Sequence, residues 1–368
     1  MSNYRIQFCL SMFFLFSNIC FAKICLPRKH VALFVFGDSL FDVGNNNYIN
    51  TTTDMQANIP PYGETFFKYS TGRFSDGRVI PDFIDMHFYA KLPLILPYLH
   101  PAYTYQQYIN GANFASAGAG ALVETREGLV IDLNTQLTYF KNVHKLLRER
   151  LGEAETKNLL SRAVYLISIG SNDYIVQVVG NSSAFSSYSQ DQYVDIVIGN
   201  LTNVIKEIYK KGGRKFGFLE SGPLGCLPLG KMLANGTGSC WEDISALPKL
   251  HNSALSAVLQ KLKKQLRGFR YSYTNFYDLE TDLMNYPSKY GFKEGNVACC
   301  GTGPYRGFSS CGGKGAVKEY ELCDNPNNYV FFDSAHPTER ANQFFAQQMW
   351  SGNDSVTVPQ NLKTLFED

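Results

Sequence analysis

The stretch VALFVFGDSLFDVGNN at residues 31–46 decides the fold that the sequence predicts. Residues 31–36 are apolar at every position, a pattern typical of a parallel strand that is covered on both faces of its sheet. This run ends in Gly37, Asp38 and Ser39. Ligands of open α/β sheets bind just beyond such carboxyl ends, so Ser39 stands where a nucleophile is useful. The alternative interpretation is that Gly-Asp-Ser turns the chain and caps a helix.

Residues 1–22 have the pattern of a secretory signal peptide. Arg5 is followed by an apolar core at residues 8–16 and by a motif with small residues that ends at Ala22. A membrane anchor is the alternative, but the apolar run is shorter than the roughly 20 residues that a spanning helix needs. We therefore predict a secreted, extracellular protein without integral membrane association, whose mature chain is residues 23–368.

The charge balance gives no reason to expect a nucleic-acid partner. Lys and Arg together number 34 and Asp and Glu 32, so the formal net charge is +2. Nucleic-acid-binding domains are usually far more basic. No Pro/Ser-rich linker, charge block or internal repeat divides the chain after the signal peptide, and we therefore expect a single domain.

Strands and amphipathic helices alternate along the chain. Strands are predicted at residues 31–36, 110–115, 163–169, 215–220, 271–276 and 329–332. Helices are predicted at residues 133–151, 193–211, 242–266 and 338–350. This alternation predicts an α/β fold with a parallel sheet, right-handed crossovers and helices on both faces. Residues 45–78, rich in Asn, Thr, Pro and Gly, are predicted to form a long loop that borders a functional site.

Four polar motifs follow predicted strands, so the fold would bring them to one edge of the sheet. They are Ser39, NFASAGAG at residues 113–120, GSND at 170–173 and DSAHP at 333–337. Each has a structural explanation of its own: glycines allow close packing, Asn172 with Asp173 can cap a helix, and His336 can precede one. Together they supply the serine, base, carboxylate and oxyanion donors of an acyl-transfer site.

The spacing of Asp333 and His336 suits this chemistry. They lie three residues apart, so the carboxylate can reach Nδ1 of the imidazole and leave Nε2 facing Ser39. The G-x-S-x-G elbow of α/β-hydrolases is absent from the sequence, which argues against that fold.

As a set, the motifs GDSL, NFASAGAG, G-x-N-D and D-x-x-H-P-T resemble those of the plant GDSL esterase/lipase family within the SGNH hydrolases. Their order and spacing match from about residue 31 to residue 350. The resemblance implies a flavodoxin-like three-layer α/β/α sandwich around a central parallel sheet. It also implies a catalytic triad of Ser39, His336 and Asp333, with an oxyanion hole made by the amides of Ser39 and Gly118 and by the side chain of Asn172.

The expected reaction is hydrolysis of a carboxylic ester through an acyl-enzyme on Ser39, with His336 as general base and acid. No cofactor and no metal are expected. The ester could be a lipid, an acetylated carbohydrate or a small metabolite. Two alternatives stay open: transfer of the acyl group to another alcohol, and a non-catalytic secreted protein that binds lipid or carbohydrate.

The cysteines predict disulfides rather than a metal site. Removal of the signal peptide would leave seven of the nine cysteines, so at least one thiol stays unpaired, and Cys25 is the expected one. A zinc site is the alternative, but the chain lacks paired C-x-x-C spacing. The expected bonds join Cys226 to Cys240, and Cys299 and Cys300 to Cys311 and Cys323 in either order.

Candidate glycosylation sites are the Asn-x-Ser/Thr sequons of the chain. Chance alone would give about three in a chain of this composition, so their number carries little information. We nevertheless expect some of them to be used in an exported protein. The candidates are Asn50, Asn181, Asn200, Asn235 and Asn353.

Overall fold

The computed structural model describes residues 30–85, 92–179, 188–234 and 238–367. The predicted signal peptide and the candidate residues Cys25, Asn181 and Asn235 lie outside these ranges. The strands are β1 (Leu33–Gly37), β2 (Gly111–Asn113), β3 (Val164–Ser168), β4 (Lys215–Leu219), β5 (Arg270–Thr274), β6 (Cys300–Gly301), β7 (Glu321–Leu322) and β8 (Thr357–Val358). The helices are α1 (Ile80–Asp85), α2 (Tyr105–Tyr108), α3 (Leu133–Leu151), α4 (Glu153–Arg162), α5 (Ser171–Val179), α6 (Gln190–Lys210), α7 (Pro228–Leu233), α8 (Glu242–Gln265), α9 (Phe276–Asn285), α10 (Glu339–Ser351) and α11 (Leu362–Glu367).

The central sheet of the described residues has the strand order β2-β1-β3-β4-β5-β8. The pairs from β2 through β5 are parallel, and β8 alone pairs antiparallel, on the outer edge of β5. β6 and β7 form a separate short antiparallel pair. The mostly parallel sheet between helices confirms the predicted α/β class.

An aromatic row crosses one face of this sheet. Phe34, Tyr165 and Phe216 are paired in register on β1, β3 and β4. Their rings stack at centroid distances of 5.6 Å and 5.3 Å. Phe140 of α3 packs edge-on against Phe34 at 5.4 Å, so α3 lies on this face. Burial of each such ring stabilises the fold by about 1.5–3 kcal/mol.

The opposite face is covered by the C-terminal helices. Successive side chains of a strand point to opposite faces, so Gly217 of β4 faces away from the aromatic row. A side chain at Gly217 would collide with Leu362 of α11, because a Cβ there would lie 2.6 Å from the leucine Cδ2. α11 contacts α10, and α10 contacts α1. Helices therefore cover both faces, as the three-layer α/β/α sandwich requires.

Local signals explain where α6 begins. The sequence predicts a start at residue 193, but the helix begins at Gln190 because Ser189 forms a capping box with Gln192. The Gln192 amide donates to Ser189 Oγ at 3.3 Å, and the Ser189 amide donates to Gln192 Oε1 at 2.9 Å. α3, by contrast, has the predicted bounds. No helix of the described residues has both the length and the apolar character that a membrane crossing requires.

The prediction of a strand at residues 329–332 is wrong. The segment makes only isolated bridges, and the edge strand of the sheet is β8 instead. Its backbone is bonded to the start of β6 and to the residue before it: the amides of Cys299 and Cys300 donate to the carbonyls of Phe331 and Phe332 at 2.9 Å and 2.7 Å. The apolar run therefore reflects burial in the core rather than pairing in the sheet.

Candidate active site

Ser39, His336 and Asp333 come together at the carboxyl end of β1. His336 Nε2 lies 2.7 Å from Ser39 Oγ, and His336 Nδ1 lies 2.7 Å from Asp333 Oδ1. The backbone amides of Ala335 and His336 donate to the same carboxylate oxygen at 3.0 Å and 2.9 Å. The serine hydroxyl therefore ends a hydrogen-bonded chain that runs through the imidazole to a buried carboxylate.

The turn after β1 is held without the Ser39 side chain. Asp38 Oδ1 accepts a hydrogen bond from the Leu40 amide at 3.1 Å. The side-chain amide of Gln136, on α3, bonds both the amide and the carbonyl of Gly37 at 2.9 Å. Burial raises the pKa of Asp38 to about 7, although the Leu40 amide and the charge of His336 lower it. Asp38 thus closes the turn and leaves the Ser39 hydroxyl to His336.

The second oxygen of Asp333 is bonded to a tyrosine that the sequence analysis did not identify. Tyr62 Oη donates to Asp333 Oδ2 at 2.7 Å. Burial by itself would raise the pKa of Asp333, but the charge and hydrogen bond of His336, and then the charge of Lys314, hold it well below its usual range. The carboxylate is therefore ionised and suited to stabilise an imidazolium.

Lys314 is a second residue that the sequence analysis missed. Its Nζ lies 4.3 Å from the ring centroid of Tyr62 and 4.5 Å from that of Phe74, and it donates to the Gln56 carbonyl at 3.0 Å. Burial lowers the pKa of Lys314 to about 8, against the opposing charge of Asp333. Its position between Cys311 and Cys323 gave no signal of a site.

The 45–78 loop brings Tyr62 and Phe74 to the site. Asn45 Nδ2 donates to the carbonyls of Asn113 and Ala115 at 2.9 Å and 2.8 Å. These bonds fasten the start of the loop to the chain that leaves β2. The Phe74 ring then packs against the His336 ring at a centroid distance of 4.6 Å. The loop thus borders the site, as its length and composition predicted.

Gly118 and Asn172 line the same cavity as Ser39 and are connected to each other through Arg126. Arg126 Nη1 donates to the Gly118 carbonyl at 2.9 Å and to Asn172 Oδ1 at 2.7 Å. Asn172 Nδ2 donates to the Ala119 carbonyl at 3.0 Å, which leaves its second amide hydrogen for another acceptor. Nothing in the sequence pattern singled out Arg126.

The amides of Ser39 and Gly118 are available as donors. Among residues 30–85, 92–179, 188–234 and 238–367, neither amide has an acceptor within hydrogen-bonding distance. Gly118 has a φ of 82°, and a Cβ there would lie 2.3 Å from the Met55 sulfur, so the position favours glycine. Gly120 instead packs against Asp173, where a Cβ would lie 2.3 Å from Oδ1.

Asp173 fastens the loop that carries these donors. Its carboxylate accepts from the amides of Ala121 and Leu122 at 2.8 Å and 3.1 Å and from Thr125 Oγ1 at 2.5 Å. Burial raises the pKa of Asp173 to about 6, although these hydrogen bonds lower it. Asp173, the last residue of the GSND motif, therefore stabilises the loop that follows Gly118.

A cavity of about 300 Å³ opens in front of Ser39. Ser39, His336, Gly118 and Asn172 line it, and most of its lining surface is apolar. The size is within the range of small-molecule sites, and an apolar lining with a few convergent polar groups is typical of them. This apolar surface, called the apolar wall below, includes Ile175, Leu224, Leu227, Leu229 and Phe276.

Three disulfides cross-link the described residues. The bonds are Cys226–Cys240, Cys299–Cys323 and Cys300–Cys311, which resolves the order that the sequence left open. Within the described ranges, no group of three or more His, Cys, Asp or Glu residues is arranged to hold a metal ion. Of the candidate glycosylation sites, Asn50 and Asn353 are exposed and Asn200 is half-buried on α6.

Comparison with known proteins shows a family match over most of the chain. Residues 33–349 match the family model described as GDSL-like Lipase/Acylhydrolase. The chain is 52% identical to GDSL esterase/lipase 1 of Arabidopsis thaliana over 95% of its own length and 93% of the relative's. It is 54% identical to GDSL esterase/lipase 5 of the same plant, over 91% and 87%. It is 50% identical to a GDSL lipase of Tanacetum cinerariifolium, over 93% and 90%.

Proposed function

The chain belongs to the GDSL-like lipase/acylhydrolase family and is a carboxylic ester hydrolase of the SGNH type, and we propose that it acts through an acyl-enzyme on Ser39. The observation that carries this proposal is the hydrogen-bonded chain from Ser39 through His336 to Asp333, with both distances at 2.7 Å. A protein that only binds its ligand would not need this arrangement.

In the proposed first step, His336 Nε2 takes the proton of Ser39 Oγ as the oxygen attacks the ester carbonyl. Asp333, which is ionised, stabilises the imidazolium and keeps Nδ1 protonated. The imidazolium then gives its proton to the leaving alcohol, and the acyl group stays on Ser39. Water activated by His336 releases the acid in the second step and restores the serine.

The amides of Ser39 and Gly118 and the free hydrogen of Asn172 Nδ2 are the proposed oxyanion donors. Both amides lack an acceptor among the described residues, so the developing negative charge would meet donors that are already in place. The role of Arg126 is to orient this set, because it bonds the Gly118 carbonyl and Asn172 Oδ1 together.

The family implies ester substrates, and the apolar wall of the cavity favours esters with a hydrocarbon chain. We also propose that the protein is secreted. The disulfides support this proposal, since such bonds form and persist in oxidising compartments.

A fluorophosphonate probe, which reacts with activated serines, tests the proposal. We expect the parent protein to be labelled once, and Ser39→Ala to lose both labelling and ester turnover. Ser171→Ala is the matched control, because this serine also lines the cavity but bonds Ser221 rather than a histidine. Labelling that persists in a folded Ser39→Ala protein would refute the proposed nucleophile.

A further inference from the structure

Glu280 is a buried carboxyl group without a partner. It lies on α9 and is only 3% exposed. Among the described residues, no donor and no cation lies within bonding distance of its carboxyl oxygens. Burial raises the pKa of Glu280 to about 8, so the group is neutral at pH 7. A carboxyl group that lines a cavity and makes no hydrogen bond to the protein is available to a molecule bound there, and its burial calls for an explanation.

The carboxyl group of Glu280 lines the same cavity as Ser39. It lies beside Gly222, which follows β4, and a Cβ on that glycine would be 2.3 Å from Glu280 Oε2. Ser39 follows β1, and β3 separates β1 from β4. Since adjacent strands are about 4.8 Å apart, the strand that leads to Ser39 and the strand that leads to Gly222 are separated by roughly 10 Å.

The wall near Glu280 is apolar. Leu224, Leu227 and Phe276 line the cavity together with the carboxyl group, so a chain that passes over them would meet Glu280. A neutral carboxyl group offers both an O–H donor and a carbonyl acceptor, which matches the two functions of a hydroxyl group. A plain hydrocarbon chain would leave both the donor and the acceptor of the carboxyl group without a hydrogen bond.

Resting on the proposed ester hydrolysis, we propose that Glu280 forms a subsite for a hydroxyl group carried by the substrate about 10 Å from the scissile carbonyl. With carbon–carbon bonds of about 1.5 Å, an extended chain of about eight carbons spans this distance. The substrate class is therefore an ester of a medium-length chain with a hydroxyl group near its far end.

The first test compares matched esters with the parent enzyme. On the acyl side they are p-nitrophenyl octanoate and its ω-hydroxy counterpart; on the alcohol side they are octyl acetate and octanediol monoacetate. We expect kcat/KM to be about tenfold higher for the hydroxylated member of at least one pair. The free energy of one buried hydrogen bond accounts for a ratio of this size. Equal kcat/KM values within both pairs would overturn the proposal.

Two variants, whose side chains at position 280 are close to glutamate in size, then test whether Glu280 causes the preference for the hydroxylated ester. Glu280→Gln keeps a donor and an acceptor and should retain most of the discrimination, whereas Glu280→Leu should abolish it. Because Leu removes an unpartnered polar group, the melting temperature of Glu280→Leu should equal or exceed the parent's. Asp278→Leu, on the exposed face of the same helix, is the control and should keep the parental ratio.

The outcomes separate the two proposals. No turnover of any of these esters by the folded parent would contradict the acyl-enzyme proposal. Turnover of both members of each pair, with the same ratio in the parent and in Glu280→Leu, would contradict the subsite alone. A preference for an ω-ammonio ester over the ω-hydroxy ester would also contradict it, because an ammonium group requires an ionised carboxylate.

Discussion

Asn172 can be distinguished from an ordinary helical asparagine by its side-chain bonds. Its oxygen accepts from Arg126 and its nitrogen donates to the Ala119 carbonyl, so both atoms serve the loop beside Ser39. A cap would stabilise the helix by about 1 kcal/mol, whereas a donor aimed at the transition state acts on the rate.

We therefore expect Asn172→Ala to lower kcat by about 10²–10³-fold and to leave KM nearly unchanged. The melting temperature should stay near the parent's, and slow labelling by the serine probe should persist. The matched control is Asn134→Ala, since Asn134 is also the second residue of a helix but is exposed and outside the cavity. A lower melting temperature with a parental kcat in the folded fraction would mean that Asn172 contributes to stability and not to catalysis.

Tyr62 gives a second prediction at the scale of a residue. Its hydroxyl group donates to Asp333 Oδ2 at 2.7 Å, and hydrogen bonds to charged groups contribute about 1.5–3 kcal/mol. Tyr62→Phe should lower kcat by about tenfold or more, because Asp333 loses one of the bonds that orient it toward His336. Steady-state kinetics with a soluble ester measures this change.

Tyr165→Phe is the control for Tyr62→Phe. Tyr165 is equally buried, but its hydroxyl group donates to the Leu160 carbonyl at 2.9 Å, away from the site. Its loss should lower the melting temperature without changing kcat. Equal losses of kcat in the two variants would mean that the Tyr62 bond has no particular role in the reaction.

Among the structural elements, the segment that leads to Asp333 depends on neighbours distant in sequence. It is not a strand of the central sheet, and its carbonyls at Phe331 and Phe332 accept from the amides of Cys299 and Cys300. Disulfides at these two cysteines hold β6, the short strand that supplies the Cys300 amide. The position of Asp333 is thus determined by the cross-linked loops rather than by sheet pairing.

Removal of the Cys299–Cys323 bond by the double substitution to Ser should therefore lower kcat by about 10–100-fold, since small misplacements of catalytic groups are costly. Reduction of the parent protein should likewise lower activity before global unfolding. The control is the double substitution of Cys226 and Cys240 to Ser. The neighbouring Leu224 and Leu227 line the apolar wall of the cavity, so loss of this bond should change KM rather than kcat. Unchanged activity after verified loss of the Cys299–Cys323 bond would contradict this expectation.

For the whole molecule, buried carboxyl groups make stability dependent on pH. The pKa of Glu280 is 4.5 in the unfolded chain and about 8 in the fold because of burial. Between these values the folded protein holds a proton that the unfolded chain has released. The free energy of unfolding therefore falls as pH rises from 4.5 through 8, and the stabilising contribution is complete only below 4.5.

Glu280→Gln removes this titration. The melting temperature of the variant minus that of the parent should therefore increase by a few degrees from about pH 4.5 to pH 8 and stay constant above that pH. Thermal unfolding measured across this range checks the prediction, and Asp278→Asn, on the exposed side of α9, should run parallel to the parent. A constant difference between Glu280→Gln and the parent would mean that Glu280 is ionised in the fold.

The sequence determined the elements whose signals are local. Residues 31–36 are apolar throughout and form the buried β1, and the 3.6-residue periodicity of α3, ended by Gly152, gave its bounds. The same physics explains the failure at residues 329–332, because an apolar run indicates burial and does not say whether the backbone pairs with a strand or with a loop. The motif order also sufficed to suggest Ser39, Asp333 and His336 as a group.

The tertiary structure alone decided which distant groups surround that site. Tyr62, Arg126, Lys314 and Glu280 carry no local pattern, since their roles come from contacts between segments far apart in the chain. The order of the disulfides depended in the same way on how β6 and the loops around it pack. Periodicity and capping act within a few residues, whereas burial, charge pairing and cavity shape are set only when the whole chain closes around the sheet.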